Sequence, residues 1–206
     1  MPTLPVYLDN HATTRPDPRV LDAMWPYFTD WYGNAASASH RFGREAAEAL
    51  ETARRRVASL IGAEAREIVF TSGATEADNL AIKGAMPALK RKGNHLVTAS
   101  SEHRAVLDPM KRLSREGWDV TFLRPDRTGY VPAEAVEAAL TDRTVLVSVM
   151  AANNEVGTLN PVAKIGRICR EHGILFHSDA TQAVGKVAID VTASNLDMLS
   201  LSAHKI

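Results

Sequence analysis

The strongest indication of the fold is Val145-Leu146-Val147-Ser148-Val149-Met150, an apolar run that a single serine interrupts. A run without polar alternation is typical of a parallel strand that is buried on both faces. Further strand patterns lie at residues 67–71, 95–98, 119–123, 174–177 and 198–201. Helical patterns lie at residues 18–28, 44–61, 72–86, 106–115, 132–140 and 162–172. This alternation predicts an α/β fold, a predominantly parallel sheet with helices on both faces.

Composition limits the function classes that need to be considered. The chain has 206 residues, 24 Lys plus Arg and 24 Asp plus Glu, so its formal net charge is zero. That length suits one domain with at most a small appendage, and the charge balance argues against nucleic acid as a partner. The sequence has no apolar run long enough for a membrane helix, and residues 1–10 do not resemble a signal peptide. Because Cys169 is the only cysteine, no internal disulfide is possible, and we expect a cytoplasmic protein.

Polar residues that can do chemistry follow most of the predicted strands. They are Thr71 to Glu76, Ser101 to His103, Asn153 to Glu155, Ser178 to Gln182 and Ser202 to Lys205. In parallel sheets the ligand lies beyond the carboxyl ends of the strands. We therefore expect these groups to form one site.

Residues 72–75, Ser-Gly-Ala-Thr, stand between a predicted strand and a predicted helix. The backbone N–H groups at a helix start, together with two hydroxyls, suit a phosphate. The alternative is that Ser72 is an ordinary helix N-cap. The GxxxxGK[ST] pattern of a P-loop is absent.

Asp179 follows the apolar strand at residues 174–177. A carboxylate at such a buried position needs a cationic or strong donor partner, and a protonated pyridine nitrogen would serve. Two alternatives remain at this point: Asp179 caps the next helix, or it binds a metal together with His177, which lies on the same strand face. No other ligand pattern supports the metal, so we predict none.

Lys205 is preceded by Ser202 and His204 at the end of the last strand. A lysine at the edge of a cleft can become a nucleophilic amine, although most lysines are simply solvated. His103 is either a histidine bonded to the backbone or a face for stacking on an aromatic ligand. Pyridoxal 5'-phosphate needs a phosphate cradle, a ring-nitrogen carboxylate, a phenolate donor, a stacking face and a Schiff-base lysine. Those five parts match Thr75, Asp179, Gln182, His103 and Lys205.

Several motifs together resemble cysteine desulfurases of the NifS/IscS type, which belong to the class V aminotransferase family of fold-type-I pyridoxal-phosphate enzymes. They are YLDNHATT at 7–14, GN at 33–34, SHRFG at 39–43, IVFTSGATE at 68–76, SEH at 101–103, NNEVG at 153–157, HSDATQ at 177–182 and SAHK at 202–205. The resemblance covers the whole chain.

The resemblance implies a role for each matching residue. Lys205 would hold the cofactor as a Schiff base and then move the substrate α-proton, while Asp179 would keep the ring nitrogen protonated. Gln182 would bond the phenolate oxygen, and His103 would stack on the ring and assist proton transfer. The phosphate would be held by Ala74, Thr75, Ser202 and His204. Asn154 would lie near the ring and the substrate carboxylate.

The reaction implied by the resemblance converts L-cysteine to L-alanine. The sulfur passes to an enzyme cysteine as a persulfide, for iron–sulfur cluster or thio-cofactor assembly. The implied partners are a second copy of the chain in a homodimer and a sulfur-acceptor or scaffold protein. The rival functions are another class V enzyme, such as a selenocysteine lyase or an aminotransferase, and a non-catalytic scaffold of the same fold.

The chain departs from the family pattern mainly in length, since members are roughly twice as long. Residues 1–16 are expected to belong to the small domain, and residues 17–206 to the cofactor-binding large domain, ending just after Lys205. Smaller departures are Ala35, where proline is frequent, and Ala203, where glycine is frequent. Cys169 sits in a helical pattern beside Ile165 and Ile168, which is typical of a core residue and not of the persulfide cysteine. We therefore expect this chain alone to be inactive. It would be completed by a second chain that carries the missing half or by a large dimer contact, unless it is a fragment of a longer gene product.

Overall fold

A five-stranded parallel sheet forms the centre of residues 70–206 in the computed structural model, which describes residues 5–206. Its strands are β1 (His95–Ala99), β2 (Asp119–Leu123), β3 (Thr144–Ser148), β4 (Leu175–Asp179) and β5 (Met198–Ser200). They are arranged in the order β2-β1-β3-β4-β5, and every neighbouring pair is parallel. Parallel pairing requires a crossover between neighbours, which explains the helices that separate the strands in the sequence.

Four helices precede β1, one helix follows each of β1, β2 and β3, and turns without a helix connect β4 to β5. The helices are α1 (Pro18–Met24), α2 (Pro26–Thr29), α3 (Arg41–Ile61), α4 (Ala74–Leu89), α5 (Arg104–Arg115), α6 (Ala133–Ala139) and α7 (Val162–Glu171). Single 3₁₀ turns occur at Ala65–Glu67 and Ala203–Lys205. None of the helices within residues 5–206 is both long and apolar enough to cross a membrane.

Two apolar layers cover the two faces of the sheet. Val97, Val147 and Phe176 point to the layer that contains residues of α6 and α7. Leu96 and Leu146, one position earlier on the same strands, point to the layer of α4 and α5. Since successive side chains of a strand point to opposite faces, an apolar run such as that of β3 buries both sides at once. The predicted α/β fold is confirmed.

The order of strands reverses direction between β1 and β3. The chain goes outward from β1 to β2, then returns past β1 to β3 and continues to β4 and β5. Such a reversal is a topological switch point, and the loops leaving its two strands diverge to opposite faces of the sheet. The resulting crevice is the expected place for a ligand.

The strand predicted at residues 67–71 is wrong. Residues 65–67 form a 3₁₀ turn, and residues 68–71 pair with no strand among residues 5–206. Val69 and Phe70 are exposed. Apolar composition favours a strand, but a strand also needs a hydrogen-bonded neighbour.

Residues 5–69 form a separate compact unit in the division of the chain, Met1–Val69 and Phe70–Ile206. The helix predicted at residues 18–28 is interrupted at Pro26, which has no N–H group to donate to the preceding turn. The long helix α3 starts earlier than predicted, at a His40 N-cap whose Nδ1 accepts the Gly43 N–H at 3.2 Å. The domain boundary predicted after residue 16 stays a prediction, and residues 1–4 of that segment lie outside the described residues.

Candidate functional site

Two hydrogen bonds tie the loop after β1 to the loop after β3, at the switch point. Oε1 of Glu102 accepts the Met150 N–H at 2.8 Å. Nδ2 of Asn153 donates to the Ser101 carbonyl at 3.2 Å, while its Oδ1 accepts the N–H of Glu155 at 2.9 Å. These bonds bring the two predicted loop segments, 101–103 and 153–155, side by side.

His103 is exposed and forms the N-cap of α5, where its Nδ1 accepts the Ala105 N–H at 3.1 Å. The sequence left two roles open for His103, a hydrogen bond to the backbone and a ring that contacts a ligand. The structure permits both at once. The cap orients the ring, and Nε2 forms no hydrogen bond within residues 5–206. Asn154, in the facing loop, is half-buried, and its Nδ2 donates to Glu155 at 2.8 Å.

The start of α4 lies next to the start of α5, since Nδ2 of Asn79 contacts the Ala105 carbonyl at 3.5 Å. The N-cap of α4 is Gly73, not Ser72, and the Ser72 N–H instead donates to the Glu76 carboxylate at 2.6 Å. Gly73 has φ +154°, and no atom lies within 4 Å of the place where a Cβ would stand. Ala74 and Thr75 form the first turn, whose backbone N–H groups have no partner within a helix.

Asp179 ends β4 and is 5% exposed. Its Oδ1 accepts the Thr181 N–H at 2.9 Å, so it caps the turn that follows. Gln182 is buried in this turn. The Ala180 N–H donates to the Ser200 carbonyl at 2.8 Å, which keeps the turn beside the end of β5.

The segment after β5 carries Ser202, His204 and Lys205. Ser202 is buried, His204 is exposed, and Lys205 is half-buried in the 3₁₀ turn. Two hydrogen bonds hold the backbone of Lys205. Its N–H donates to the Ser202 carbonyl at 3.2 Å, and its carbonyl accepts from Nζ of Lys186.

A layer of polar side chains lies beneath Asp179, on the α4 side of the sheet. The His177 ring is fully buried, with Nδ1 2.9 Å from the Ser148 hydroxyl and Nε2 3.0 Å from the Ser200 hydroxyl. Asp78 of α4 covers this layer, with Oδ1 3.5 Å from Nε2 of His177. Three neighbouring strands and one helix are thus joined directly below the candidate site.

Buried carboxyl groups surround Asp179. Burial, and next the charge on Asp179, raise the pKa of Asp78 to about 7. Burial raises the pKa of Glu102 well above its ordinary value, an effect that the Met150 N–H opposes and that Asp179 and Asp78 reinforce. Burial lowers the pKa of His177 to about 4, against the attraction of Asp179.

Asp78, Ser148 and Ser200 are not among the site residues predicted from the sequence, and Glu102 belongs only to the motif at 101–103. Asp78 did carry a signal, because it occupies the buried stripe of α4 with Ile82, Met86 and Leu89. A carboxyl at an apolar position of an amphipathic helix needs a partner in the core. No sequence pattern identified that partner as His177.

Cys169 lies in the core layer of α7 and is 1% exposed, as expected. Burial, with a smaller contribution from Asp197, raises the pKa of its thiol to about 12. Within residues 5–206, no group of three or more His, Cys, Asp or Glu side chains is arranged to hold a metal ion.

The sequence and the fold of this chain are similar to those of known proteins. Residues 6–206 match the family described as aminotransferase class-V. The chain is 60% identical over 203 residues to a cysteine desulfurase IscS of Anaeromyxobacter sp. (strain K), covering 98% of this chain and 50% of that protein. It spans about half the length of the curated relatives it matches.

Two solved structures share the fold over 97% of this chain. One is described as SspA in complex with cysteine, with TM-score 0.92, 44% identity and 57% of that chain covered. The other is a NifS-like protein, with TM-score 0.93, 42% identity and 55% of that chain covered. The resemblance to NifS/IscS-type proteins predicted from the motifs is confirmed.

Proposed function

Because the chain belongs to the aminotransferase class-V family, we propose that it carries the pyridoxal 5'-phosphate site of a cysteine desulfurase. The relatives that bear this name, and the neighbour bound to cysteine, support L-cysteine as the substrate. The implied reaction releases L-alanine and passes sulfur to an enzyme thiol.

One observation carries the proposal: Asp179 is a nearly buried carboxyl at the end of a central strand. Its Oδ1 accepts a neutral backbone N–H, which compensates a buried negative charge only in part. A protonated pyridine nitrogen would supply the missing positive charge, and the ion pair would keep that nitrogen protonated. The residues present therefore fit the cofactor at its ring end.

The phosphate end is supported by the first turn of α4. Ala74 and Thr75 offer backbone N–H groups at the positive end of a 16-residue helix. The open space at Gly73 lets an anion approach the backbone closely. Ser202 and His204 would complete the phosphate site from the segment after β5.

The remaining groups surround the ring. His103 is fixed by its cap bond with its outer nitrogen available, which suits a ring that stacks on the cofactor and relays protons. Gln182 would donate to the phenolate oxygen, and Asn154 would lie near the ring and the substrate carboxylate.

Lys205 would bond covalently to the cofactor aldehyde and would then act as the base for the substrate α-proton. When bound, pyridoxal phosphate supplies an electron sink for the bond cleavages at the substrate. The single cysteine, Cys169, is buried and has a raised thiol pKa, so the acceptor thiol must come from outside residues 1–206.

Several wider assignments belong to the same proposal. Residues 1–16 would join a small domain, and residues 17–206 would form most of the large domain. The protein would work as a cytoplasmic homodimer that delivers sulfur to an acceptor or scaffold protein for iron–sulfur cluster or thio-cofactor assembly. Exposed aromatic residues within residues 5–69, among them Trp25, Phe28 and Tyr32, favour such association.

Borohydride trapping tests the proposed function. The purified chain is incubated with pyridoxal 5'-phosphate, reduced, digested and mapped by mass spectrometry. We expect a visible absorbance band before reduction and the cofactor mass on Lys205 afterwards, with neither in Lys205→Ala. A label on Lys83, Lys164 or Lys186 would contradict the assignment, and the absence of any label would favour the non-catalytic scaffold.

A further inference from the structure

The layer under Asp179 places two fully buried ionisable groups face to face. Asp78 and His177 have no exposed surface, and 3.5 Å separates Oδ1 of Asp78 from Nε2 of His177. The ring is already held on both sides by the hydroxyls of Ser148 and Ser200. Neutral hydroxyls are sufficient partners for a neutral imidazole, so the ring does not require a charge to be satisfied.

The surroundings of Asp78 disfavour a carboxylate. Neither of its oxygens has a hydrogen-bond partner of good geometry among residues 5–206. The nearby Ser200 hydroxyl lowers the pKa of Asp78, but by less than burial and Asp179 raise it. An ionised carboxyl without donors is costly to bury, and an ion pair would require burying a second charge as well. The acidic neighbours of the pair, Asp179 at the end of β4 and Glu102 in the loop after β1, add to this cost on the Asp78 side.

We propose that at mildly acidic pH Asp78 and His177 hold one proton between them, carried by Asp78, and that Asp78 is a positioning residue whose charge state acts on Asp179. The part of this statement that concerns the cofactor rests on the proposed function, since Asp179 is there the partner of the ring nitrogen. His177 lies on the same face of β4 as Asp179, two residues before it. The neutral pair thus supports Asp179 without competing for its partner.

Sharing of one proton determines how the pair contributes to the pH dependence of stability. Between pH 4 and about 6.5 the unfolded chain carries one proton on this pair, on the histidine, because the ordinary values are 3.8 for Asp and 6.5 for His. The folded pair also carries one proton, on Asp78. Folding then neither binds nor releases a proton here, so the pair contributes almost no pH dependence to the free energy of unfolding.

Each single substitution should remove this balance, in opposite directions. In Asp78→Asn the native state lacks the proton that the unfolded histidine binds, so stability relative to wild type rises with pH between about 4 and 6.5. In His177→Gln the native Asp78 keeps a proton that the unfolded aspartate has lost, so stability relative to wild type falls as pH rises from about 4 to 6.5. One proton of difference changes the unfolding equilibrium constant by up to about tenfold per pH unit.

Urea unfolding of the chain at several pH values tests the balance. We expect opposite slopes for the two single variants and no relative slope for the double variant Asp78→Asn/His177→Gln. Ser148→Ala is the matched control, because it removes a hydrogen bond from the same ring without removing a titratable group. It should lower stability equally at every pH. A slope for Asp78→Asn equal to that of wild type would overturn the proposal.

The place of the proton needs a direct measurement, because unfolding only counts protons. The ring ¹⁵N chemical shifts of ¹⁵N-histidine-labelled protein report the charge of His177 while Asp78 is unchanged. The His177 signals are identified by their absence from the spectrum of His177→Gln. We expect a neutral ring at pH 6. Imidazolium shifts at pH 6 would show an ion pair and would overturn the placement of the proton. If His177→Gln does not fold, correlation of the ring signals to the backbone assigns them instead.

Cofactor affinity tests the link to Asp179. Loss of the proton from Asp78 near pH 7 adds a negative charge beside Asp179, which favours a protonated ring nitrogen. The affinity for pyridoxal 5'-phosphate should therefore increase between pH 6 and pH 8, and the factor of increase should be at least about twofold larger in wild type than in Asp78→Asn. Equal gains would overturn the link. If wild type does not bind the cofactor, the proposed function fails, while the unfolding slopes still decide whether the pair shares a proton.

Discussion

Glu102 accepts the Met150 N–H through Oε1 at 2.8 Å, and this bond joins two loops that leave the sheet on either side of its switch point. The bond is buried, and it joins the loop that carries His103 to the loop that carries Asn154. Because these loops follow two hydrogen-bonded neighbouring strands, β1 and β3, the bond limits how far the loops can move apart. Glu102 therefore helps to hold the shape of the candidate site.

Substitution of Glu102 should distinguish its hydrogen bond from its charge. Glu102→Gln keeps an acceptor for the Met150 N–H and should stay folded, whereas Glu102→Ala leaves that N–H unpaired and should lose about 1–3 kcal/mol of unfolding free energy. Urea unfolding at pH 5 measures both. An alanine variant as stable as the glutamine variant would show that the bond does not hold the loops.

The same pair of variants gives a pH dependence with a definite sign. The pKa of Glu102 is raised in the folded state from an ordinary value of 4.5. Its contribution to stability is therefore complete below about pH 4.5 and is lost as the pH rises through the folded value. Glu102→Gln has no proton to lose, so its stability relative to wild type should increase between pH 5 and pH 8. A constant difference across this range would mean that Glu102 is ionised in the folded protein.

Asp179→Asn should separate the capping role of this residue from its charge. The amide oxygen can still accept the Thr181 N–H, so the turn should survive and some cofactor should still bind. Loss of the negative charge should lower turnover of a full-length enzyme by about a hundredfold or more, the scale seen when a preorganised electrostatic partner is removed.

A matched control for this substitution lies outside the site. Asp126 is an exposed turn aspartate whose Oδ1 accepts the N–H groups of Thr128 and Tyr130 at 2.8 and 3.0 Å. Asp126→Asn should leave turnover and cofactor affinity unchanged. Equal activity of the Asp179 and Asp126 variants would reduce Asp179 to a turn cap.

Glycine positions offer a prediction about packing. A Cβ on Gly166 of α7 would stand 1.9 Å from the Ser194 carbonyl oxygen, whereas one on Gly84 of α4 would stand 3.6 Å from its nearest neighbour, Leu80 Cδ1. Gly166→Ala should lose about 1–3 kcal/mol through overpacking against backbone. Gly84→Ala should gain about 0.5–1 kcal/mol from helix propensity. Thermal or urea unfolding measures both, and similar values for the two would contradict the close approach of α7 to residue 194.

The strand pattern at residues 145–150 and the helices around it made the fold predictable, because burial of both strand faces leaves a local trace in the sequence. The gathering of the loops after the strands was predictable for the same reason, since parallel strands end at one edge. The contacts between distant residues were not. Asp78 and His177 are 99 positions apart, and only the order of the strands and the docking of α4 bring them together. The failed strand at residues 67–71 has the same origin, because its composition carries no information about whether a neighbouring strand is present.

Cys169 provides a test of the proposal that the sulfur-acceptor thiol lies outside residues 1–206. Its thiol is buried beside Ile165 and Ile168, and burial raises its pKa to about 12, so it is neither accessible nor ionised at neutral pH. We expect slow reaction with Ellman's reagent in the native chain and fast reaction in urea.

Cys169→Ala should cost about 1 kcal/mol by removing buried volume and leave alanine formation by a full-length enzyme unchanged. Residues 1–206 alone should form no alanine from cysteine. Turnover by this chain that disappears in Cys169→Ala would instead make Cys169 the sulfur acceptor.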